Sequence, residues 1–570
     1  MKNTKRLVAI LLTLILCVAV VACNGNTDNN PADTGTNNSP NTSTNTNQPA
    51  PPSPPAPPSE VGEAGGEISM IDPTGLILWP GDVLTVPTGA KLADKITISS
   101  ELPVNRIDPQ SSASTVTVCR MIFQMVYERL TYFDPVACTT NPELATRWET
   151  PDQKVWTFYL RDDVYFHNGD KFTAQDVYNT WQSATEPGSL AYDQWLYVDS
   201  MRIINDYTVE ITLQKPYSSF AYNLAMPGGA IISKAARDAD PVSGLWVGTG
   251  VFYVKDFVSG NSVLLGRNDN YWGTKALTSE VEYIYVPEMA ARAFMQINGE
   301  TDICMSVPSQ DNDMFMNSPD HYLYAYAANS THSLTFNLNN PITADINFRL
   351  AVAHAINRED AAMAASGIWA KPTQDGTFWG DSTPYRNTSI PRIPQDIELA
   401  KEYLAKSSYN GELITIITAP DTLTVSSQVL QEQLRVIGIN CEVYTTDVPT
   451  LVSLAGYGNT EFTLLHFVSP FELDPSSAQV MLYPGMSANR ASYVNQEVCD
   501  LLDYVVTVGD PAEQQRVYYQ IQEIVARDIP QLSIFEKIWT FITNNRVGGV
   551  LINPDMNHDL RGVFMLAENQ

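Results

Sequence analysis

The stretch that decides the fold spans residues 156–170 and reads WTFYLRDDVYFHNGD. Its first five residues alternate between apolar and polar side chains, which is the period of a half-buried β-strand. The closing HNGD has the composition of a hairpin turn, so we interpret His167 and Asp170 as turn residues rather than catalysts. Thr173 followed by Asp176 is similar to a capping box and predicts that a helix begins there. The stretch therefore predicts a strand, a turn and a helix of an α/β protein.

Further motifs extend this pattern along the chain. They are PELATRW at 142–148, TAQDV at 173–177, DYTVEI at 206–211, GTGVFY at 248–253, RNDNYWG at 267–273 and RLAVAHAINR at 349–358. Together with the opening stretch they closely resemble the signature of family 5 of the extracytoplasmic solute-binding proteins of ABC importers, the oligopeptide, dipeptide and nickel class. The resemblance covers residues 95 to 550 and departs from the family at Val251, where a proline is usual.

The resemblance implies an α/β fold of the type II periplasmic-binding-protein kind: two lobes of mixed sheets flanked by helices, with a ligand cleft at a hinge that the chain crosses twice. We expect lobe one at 93–305, with an extra subdomain at 135–200 and a return of the chain at 530–570. Lobe two is expected at 306–529. Composition alone would also allow two independent domains in series, but no Gly/Pro/Ser-rich linker follows Glu67.

The N-terminus has the pattern of an export signal. Three positive residues precede an apolar run that ends at Ala22, and this run is short for a membrane span. The segment 20–23 (VVAC) resembles a bacterial lipobox, which implies a signal peptide at 1–22 and lipid attachment at Cys23. An ordinary signal peptide cleaved elsewhere is the alternative.

Residues 23–67 are predicted to be a disordered tether. From Asn24 to Glu60 the chain has no Val, Ile, Leu, Met, aromatic or basic residue and contains nine prolines, so it cannot bury apolar surface. The long tether favours a Gram-positive cell envelope, where it would carry the folded body through the wall, with a periplasmic location as the alternative. An O-glycosylated stalk would have the same composition.

Composition excludes several classes of function. The formal net charge is -29, from 34 basic and 63 acidic residues, which disfavours nucleic acid and anionic membranes as partners. No nucleophile motif, phosphate loop or paired histidine motif occurs, so the sequence predicts no enzyme, no metal site and no cofactor. A secreted hydrolase is the rival reading from another class. Of the five cysteines beyond the signal and the lipid site, most are expected to be buried thiols, and Cys119 with Cys138 is the single disulfide pair worth testing.

The family register also implies a set of residues in contact with ligand. Arg106 and Arg129 are candidates to grip a carboxylate, and Trp195 and Trp379 are candidates for an aromatic wall, with packing under loops as their alternative. The full set is Asn105, Arg106, Glu128, Arg129, Leu130, Trp195, Tyr197, Ser333, Phe378, Trp379, Phe471 and Glu472.

One family hallmark is missing. Peptide-binding members anchor the ligand's amino terminus with the Asp of a Trp-x-x-Asp segment that precedes an Asp-Pro, here Asp474-Pro475. In this register Val468 occupies the position of the Trp, and Phe471 occupies the position of the Asp. Either Glu472 or Glu128 replaces the carboxylate, or the ligand has no free amino terminus to bury.

The sequence as a whole therefore predicts a monomeric, lipid-anchored receptor outside the cytoplasmic membrane. We expect it to deliver oligopeptides to an ABC permease and its ATPase. Oligosaccharides or other small solutes are the alternative ligands, and sensing is the alternative to import.

Overall fold

The computed structural model describes residues 86–567, except 112, 114–116, 135–138, 187–188, 190, 196, 306, 308–310, 317, 328–329, 374–378, 380–384, 421, 469–474, 487 and 554–557. The predicted signal peptide, Cys23 and the tether lie outside these residues, as do Cys138, Phe378, Phe471 and Glu472. No helix of the described residues is long and apolar enough to cross a membrane.

The strands are β1 Lys95–Ser100, β2 Thr131–Asp134, β3 Thr139–Pro142, β4 Ala145–Glu149, β5 Val155–Leu160, β6 Val198–Asn205, β7 Thr208–Leu213, β8 Phe252–Val258, β9 Ser262–Arg267, β10 Glu280–Tyr285, β11 Ile303–Cys304, β12 His321–Ala327, β13 His332–Phe336, β14 Ala370–Pro372, β15 Ile414–Thr418, β16 Cys441–Thr445, β17 Leu464–Val468, β18 Gln531–Asn544, β19 Val547–Gly548 and β20 Phe564–Met565.

The helices are α1 Thr117–Val126, α2 Ala174–Ala184, α3 Tyr192–Trp195, α4 Phe220–Leu224, α5 Lys234–Ala239, α6 Met289–Ile297, α7 Asp313–Met316, α8 Ile346–Ala355, α9 Arg358–Ser366, α10 Ile397–Lys406, α11 Thr422–Val436, α12 Val448–Leu454, α13 Ala478–Leu482, α14 Gln496–Val505 and α15 Pro511–Asp528.

The opening stretch folds as the sequence predicts. Strand β5 buries Trp156, Phe158 and Leu160 in alternation, and the turn after it places Gly169 at φ +89°, a conformation that favours glycine. Helix α2 begins with a capping box in which the side chain and backbone of Thr173 exchange hydrogen bonds with the first turn. These features confirm the predicted strand, turn and helix.

A sheet of 12 strands dominates the body, in the order β16-β15-β17-β13-β18-β11-β1-β10-β9-β8, with β12 and β14 also paired to β18. Strand β18 is antiparallel to β12 over its second half and to β13 over its first half. Since β12 and β13 follow each other in the chain, both lie antiparallel to the single strand β18 between the two halves of the sheet. This arrangement is a hinge of two crossing segments.

The second sheet is smaller and has four strands in the order β4-β5-β7-β6. Its buried face shares one hydrophobic core with helices α13 to α15, through residues such as Phe158, Ile211, Leu502 and Ile521. Two other cores cover the two halves of the large sheet: Ile98, Met121 and Val281 belong to one, and Phe348, Ile416 and Leu430 to the other.

The ends of helices α11 and α15 also agree with the local sequence. Helix α11 is followed by Gly438 at φ +96°, a conformation that favours glycine, and then by β16. Helix α15 ends at Asp528, and the left-handed backbone of the next residue, Ile529 (φ +46°), turns the chain into Pro530 and β18. Cys119, Cys441 and Cys499 are buried free thiols, which agrees with the expectation for most of the cysteines.

Candidate functional site: the gap between the two halves of the sheet

Strand direction locates the site. Strands β10 and β11 run parallel to β1. Because β11 pairs Ile303 with Thr543 and then Cys304 with Ile542, the carboxyl ends of these three strands point toward the middle of β18. On the other side, the last residue of β17, Val468, lies opposite His332 at the start of β13, and β15 and β16 run parallel to β17. Their carboxyl ends also point toward the middle of β18.

The carboxyl ends of the parallel strands in the two halves of the sheet therefore face each other across the crossing segments. In open α/β sheets, ligands bind outside the carboxyl ends of strands, because the loops that follow are free to vary while the sheet holds them in place. This gap is the candidate ligand site.

Asn105 and Arg106 follow β1 and are exposed. The carbonyl of Asn105 accepts a hydrogen bond from the Ser259 hydroxyl (2.9 Å). Arg106 forms an ion pair with the buried Asp108 (2.9 Å). The guanidinium of Arg106 therefore already has a carboxylate partner.

Glu128 is buried and held by two aromatic donors. Its carboxylate accepts from the Tyr271 hydroxyl (2.7 Å) and from the Trp272 indole N–H (2.8 Å). Burial, together with the neighbouring charge of Glu143, raises the pKa of Glu128 to about 7. A carboxyl group that is enclosed and half-protonated at neutral pH is poorly suited to anchor a ligand's ammonium group.

Arg129 belongs to an ionic cluster next to Glu128. Its Nε and its backbone N–H both donate to Glu143 (3.2 and 2.8 Å). Arg561 also reaches Glu143 (3.4 Å) and is bonded to Asp559 (2.6 Å). The cluster, which we call the seam cluster, thus contains the carboxyl groups of Glu128, Glu143 and Asp559 and the guanidinium groups of Arg129 and Arg561. Arg129 is fully committed within it.

Three other predicted residues pack in the core. Leu130 is fully buried and Trp195 is 1% exposed, with its indole N–H donating to the Gly228 carbonyl (3.2 Å). Trp379 is buried in the same core. For both tryptophans the structure therefore favours the packing alternative. Tyr197 is partly buried against Tyr217, with ring centroids 5.1 Å apart.

Ser333 is the second residue of β13, next to the crossing segments, and its hydroxyl lies near those of other residues. It is opposite Phe467 on β17 and opposite Ser533 on β18, so the three side chains share one face of the sheet. The Ser333 hydroxyl contacts that of Thr331 (2.9 Å), and Ser533 donates to Thr373 (3.1 Å).

The imidazoles at the hinge carry no charge at neutral pH. His332 stacks on Phe535, with centroids 4.5 Å apart, and His466 shares a hydrogen bond with the Ser427 hydroxyl (2.8 Å). Burial lowers the pKa of His332 far below its usual range and that of His466 to about 3. Lys537, at the middle of β18, lies over the Trp539 ring at 4.2 Å.

Sequence reasoning missed Arg490. This side chain is partly buried, and its guanidinium lies over the Phe467 ring, 4.8 Å from the centroid, at the carboxyl end of β17. Among the described residues, its side chain makes one hydrogen bond, a long contact to the Val468 carbonyl (3.5 Å). The family register contains no signal for this residue, because its chemistry depends on which groups surround it in space.

The sheet topology and the facing strand ends define a two-lobed solute-binding protein, as the sequence predicted. Residues 139–487 match the family of bacterial extracellular solute-binding proteins, family 5 Middle. The chain belongs to this family, and the predicted resemblance is confirmed.

Individual relatives are distant but match over most of their length. The glutathione-binding protein GsiB of Escherichia coli strain K12 is 24% identical over 467 residues, which cover 79% of this chain and 90% of that protein. Among solved structures, the ABC transporter substrate binding protein CtaP from Listeria monocytogenes has a TM-score of 0.74 at 22% identity, covering 83% of this chain and all of that chain. The periplasmic binding protein DppA from Helicobacter pylori, in complex with the peptide STSA, has a TM-score of 0.72 at 23% identity, covering 84% and 99%. These structures share the fold.

Proposed function

We propose that this solute-binding protein captures oligopeptides outside the cytoplasmic membrane and delivers them to an ABC permease powered by an ATPase. The observation that carries the proposal is the gap between two sets of strand carboxyl ends, because a ligand held there contacts both halves and favours their closure. The peptide in the Helicobacter pylori relative and the glutathione of the Escherichia coli relative support a peptide as ligand.

For the two lobes, the strand pairing supports the division expected from the sequence with one change. Strand β12 pairs with the same half of β18 as β11 does, so it belongs with lobe one. We therefore place the first crossing between β12 and β13, instead of at 305–306, and the second between Lys537 and Ile538. The extra subdomain is built on the four-stranded sheet and extends to Leu213.

A binding screen tests the ligand class. Peptides and oligosaccharides are added separately to the purified body, and thermal unfolding and small-angle scattering are recorded. A ligand that binds only the native state raises the melting temperature by mass action, and closure lowers the radius of gyration. We expect both changes with peptides. A melting-temperature shift with oligosaccharides alone would mean that the ligand is an oligosaccharide. Turnover of a substrate would mean that the protein is an enzyme and not a transport receptor.

Membrane attachment through Cys23, after removal of residues 1–22 and with 23–67 as a tether, is the second part of the proposal. Wild-type protein should fractionate with membranes and incorporate a fatty-acid analogue, whereas Cys23→Ser should do neither. Cys119→Ser is the matched control, because Cys119 is a buried thiol of the folded body. Labelling that persists in Cys23→Ser would contradict the lipid site.

A further inference from the structure

Arg490 is partly buried, and its guanidinium differs from those of Arg129 and Arg292 in having no carboxylate paired with it among the described residues. Arg129 and Arg292 are paired with Glu143 and Glu101, and Arg349 donates to three main-chain carbonyls. In the part of the chain that the structure describes, no carboxylate forms an ion pair with Arg490. Burial alone lowers the pKa of its guanidinium.

This arrangement leaves a strong binding capacity unused. A guanidinium carries five N–H donors in a planar fork that matches a carboxylate. Toward the described residues Arg490 uses one of them, on a long contact of 3.5 Å. Partial withdrawal of a cation from water without an anion is unfavourable, and a ligand anion that binds here offsets part of that cost.

The loop that carries Arg490 is rigid. Asn489 is fully buried, and its side-chain amide donates to the carbonyls of Leu482, Tyr483 and Tyr493. On the other side of Arg490, the carbonyl of Ala491 accepts from the backbone N–H of Leu338 (2.9 Å). The backbone that carries Arg490 is therefore fixed before any ligand binds, which reduces the entropy lost on binding.

The surroundings of Arg490 suit a carboxylate. Phe467, on which the guanidinium stacks, is directly opposite Ser333 on the neighbouring strand. Because β17 is paired with β13, this stacking places the guanidinium of Arg490 beside the strands that lead into the crossing segments. The site stands at the carboxyl end of β17, where the two halves of the sheet face each other.

We propose that Arg490 is the carboxylate-binding residue of the cleft and that the group it binds in a peptide is the C-terminal carboxylate. This inference deepens the proposed function and rests on it for the identity of the ligand. It replaces Arg106 and Arg129, which already have carboxylate partners, as the residue that recognises an anion.

Calorimetric titration of matched peptides tests the proposal. Tetrapeptides from the screen are prepared as free acids and as C-terminal amides. For the wild type, amidation should weaken binding on the order of 30-fold, equivalent to about 2 kcal/mol. For Arg490→Gln the free acid should lose that advantage, so that acid and amide bind within about 3-fold of each other. Arg490→Lys should be intermediate, because it retains the charge but lacks the fork.

Arg435→Gln is the matched control. Arg435 lies near the carboxyl end of α11, at the edge of the sheet away from the gap, and is paired with Glu432 (2.6 Å). This variant should keep the preference of the wild type for the free acid. An equal response to amidation in the wild type and in Arg490→Gln would overturn the proposal while leaving peptide binding intact.

A second probe separates this proposal from the choice of ligand class. Acetate alone, at concentrations that saturate a weak site, should raise the melting temperature of the wild type and of Arg435→Gln but not that of Arg490→Gln. If no peptide binds, and acetate still raises the melting temperature of the wild type but not that of Arg490→Gln, the proposed peptide function is wrong and the anion site at Arg490 is supported. If acetate shifts wild type and Arg490→Gln equally and no peptide pair discriminates, the anion site is wrong.

Discussion

Arg129 is buried and Arg490 is partly buried, and they differ in what faces their guanidinium groups. Arg129 belongs to the seam cluster, where the Glu143 carboxylate accepts hydrogen bonds from its Nε and from its backbone N–H. Arg490 faces an aromatic ring and one distant carbonyl. The first region satisfies its charges internally and therefore acts as structure. The second leaves a desolvated cation for a partner from outside, which is the electrostatic character of a binding site.

Removal of Glu143 should have the largest effect, because it leaves two guanidinium groups without their shared anion. We expect Glu143→Gln to lower the free energy of unfolding by about 3–5 kcal/mol, the range for breaking a buried pair. Equilibrium denaturation measures it. The control is Glu149→Gln, an exposed glutamate paired with Arg147 on β4, which should change stability by less than about 1 kcal/mol. Equal losses of unfolding free energy in the two variants would mean that the buried pairs of the seam cluster stabilise the protein no more than an exposed surface pair does.

The contribution of the seam cluster to stability should depend on pH through Glu128. The pKa of Glu128 is raised from 4.5 to about 7 in the folded protein. Its protonation therefore contributes stability that is fully present below pH 4.5 and is lost as pH rises through 7. Glu128→Gln imitates the protonated form, so its stability relative to the wild type should increase by about 2.5 kcal/mol between about pH 5 and pH 8. Glu149→Gln should show a flat difference over the same range, and a flat difference for Glu128→Gln would mean that Glu128 titrates normally.

The amino end of the ligand supplies a third test. Glu128 is occupied by Tyr271 and Trp272, and the family's anchoring Asp is replaced by Phe471. N-acetylated and free peptides should therefore bind within about tenfold of each other, or ~1.4 kcal/mol. Calorimetry with one matched pair decides the point. A loss of about a hundredfold on acetylation, abolished by Glu472→Gln, would place an amine anchor at Glu472.

The smallest expected effect concerns Arg490 in the absence of ligand. Because no carboxylate of the described chain pairs with it, Arg490→Gln should leave the free energy of unfolding within about 1 kcal/mol of the wild type, or raise it. Arg129→Gln, which leaves Glu143 without its nearest cation, should instead be strongly destabilised. Comparable losses of unfolding free energy in the two variants would mean that Arg490, like Arg129, has a structural role.

The hinge shows why the limits of the lobes were hard to read from the sequence. The run from β12 to β13 contains no break in composition, and the residue at which the chain leaves one half of the sheet is defined by pairing with β18, which lies about two hundred residues away. Local patterns carry no information about such a partner. The same limit applies to Trp195 and Trp379, whose rings fill the core although their sequence context suits a cleft equally well.

The sequence by itself determined the family, the α/β class and the local elements such as β5, the turn at Gly169 and the capped helix α2, because alternation, turn chemistry and capping are properties of neighbouring residues. Only the tertiary structure decided which charges are satisfied. The sequence shows Arg106, Arg129 and Arg490 only as three arginines. In the folded chain Arg106 reaches Asp108 and Arg129 reaches Glu143, whereas Arg490 pairs with no carboxylate of the described residues. Electrostatic interaction falls with distance and rises with burial, so the role of each arginine is fixed by the fold.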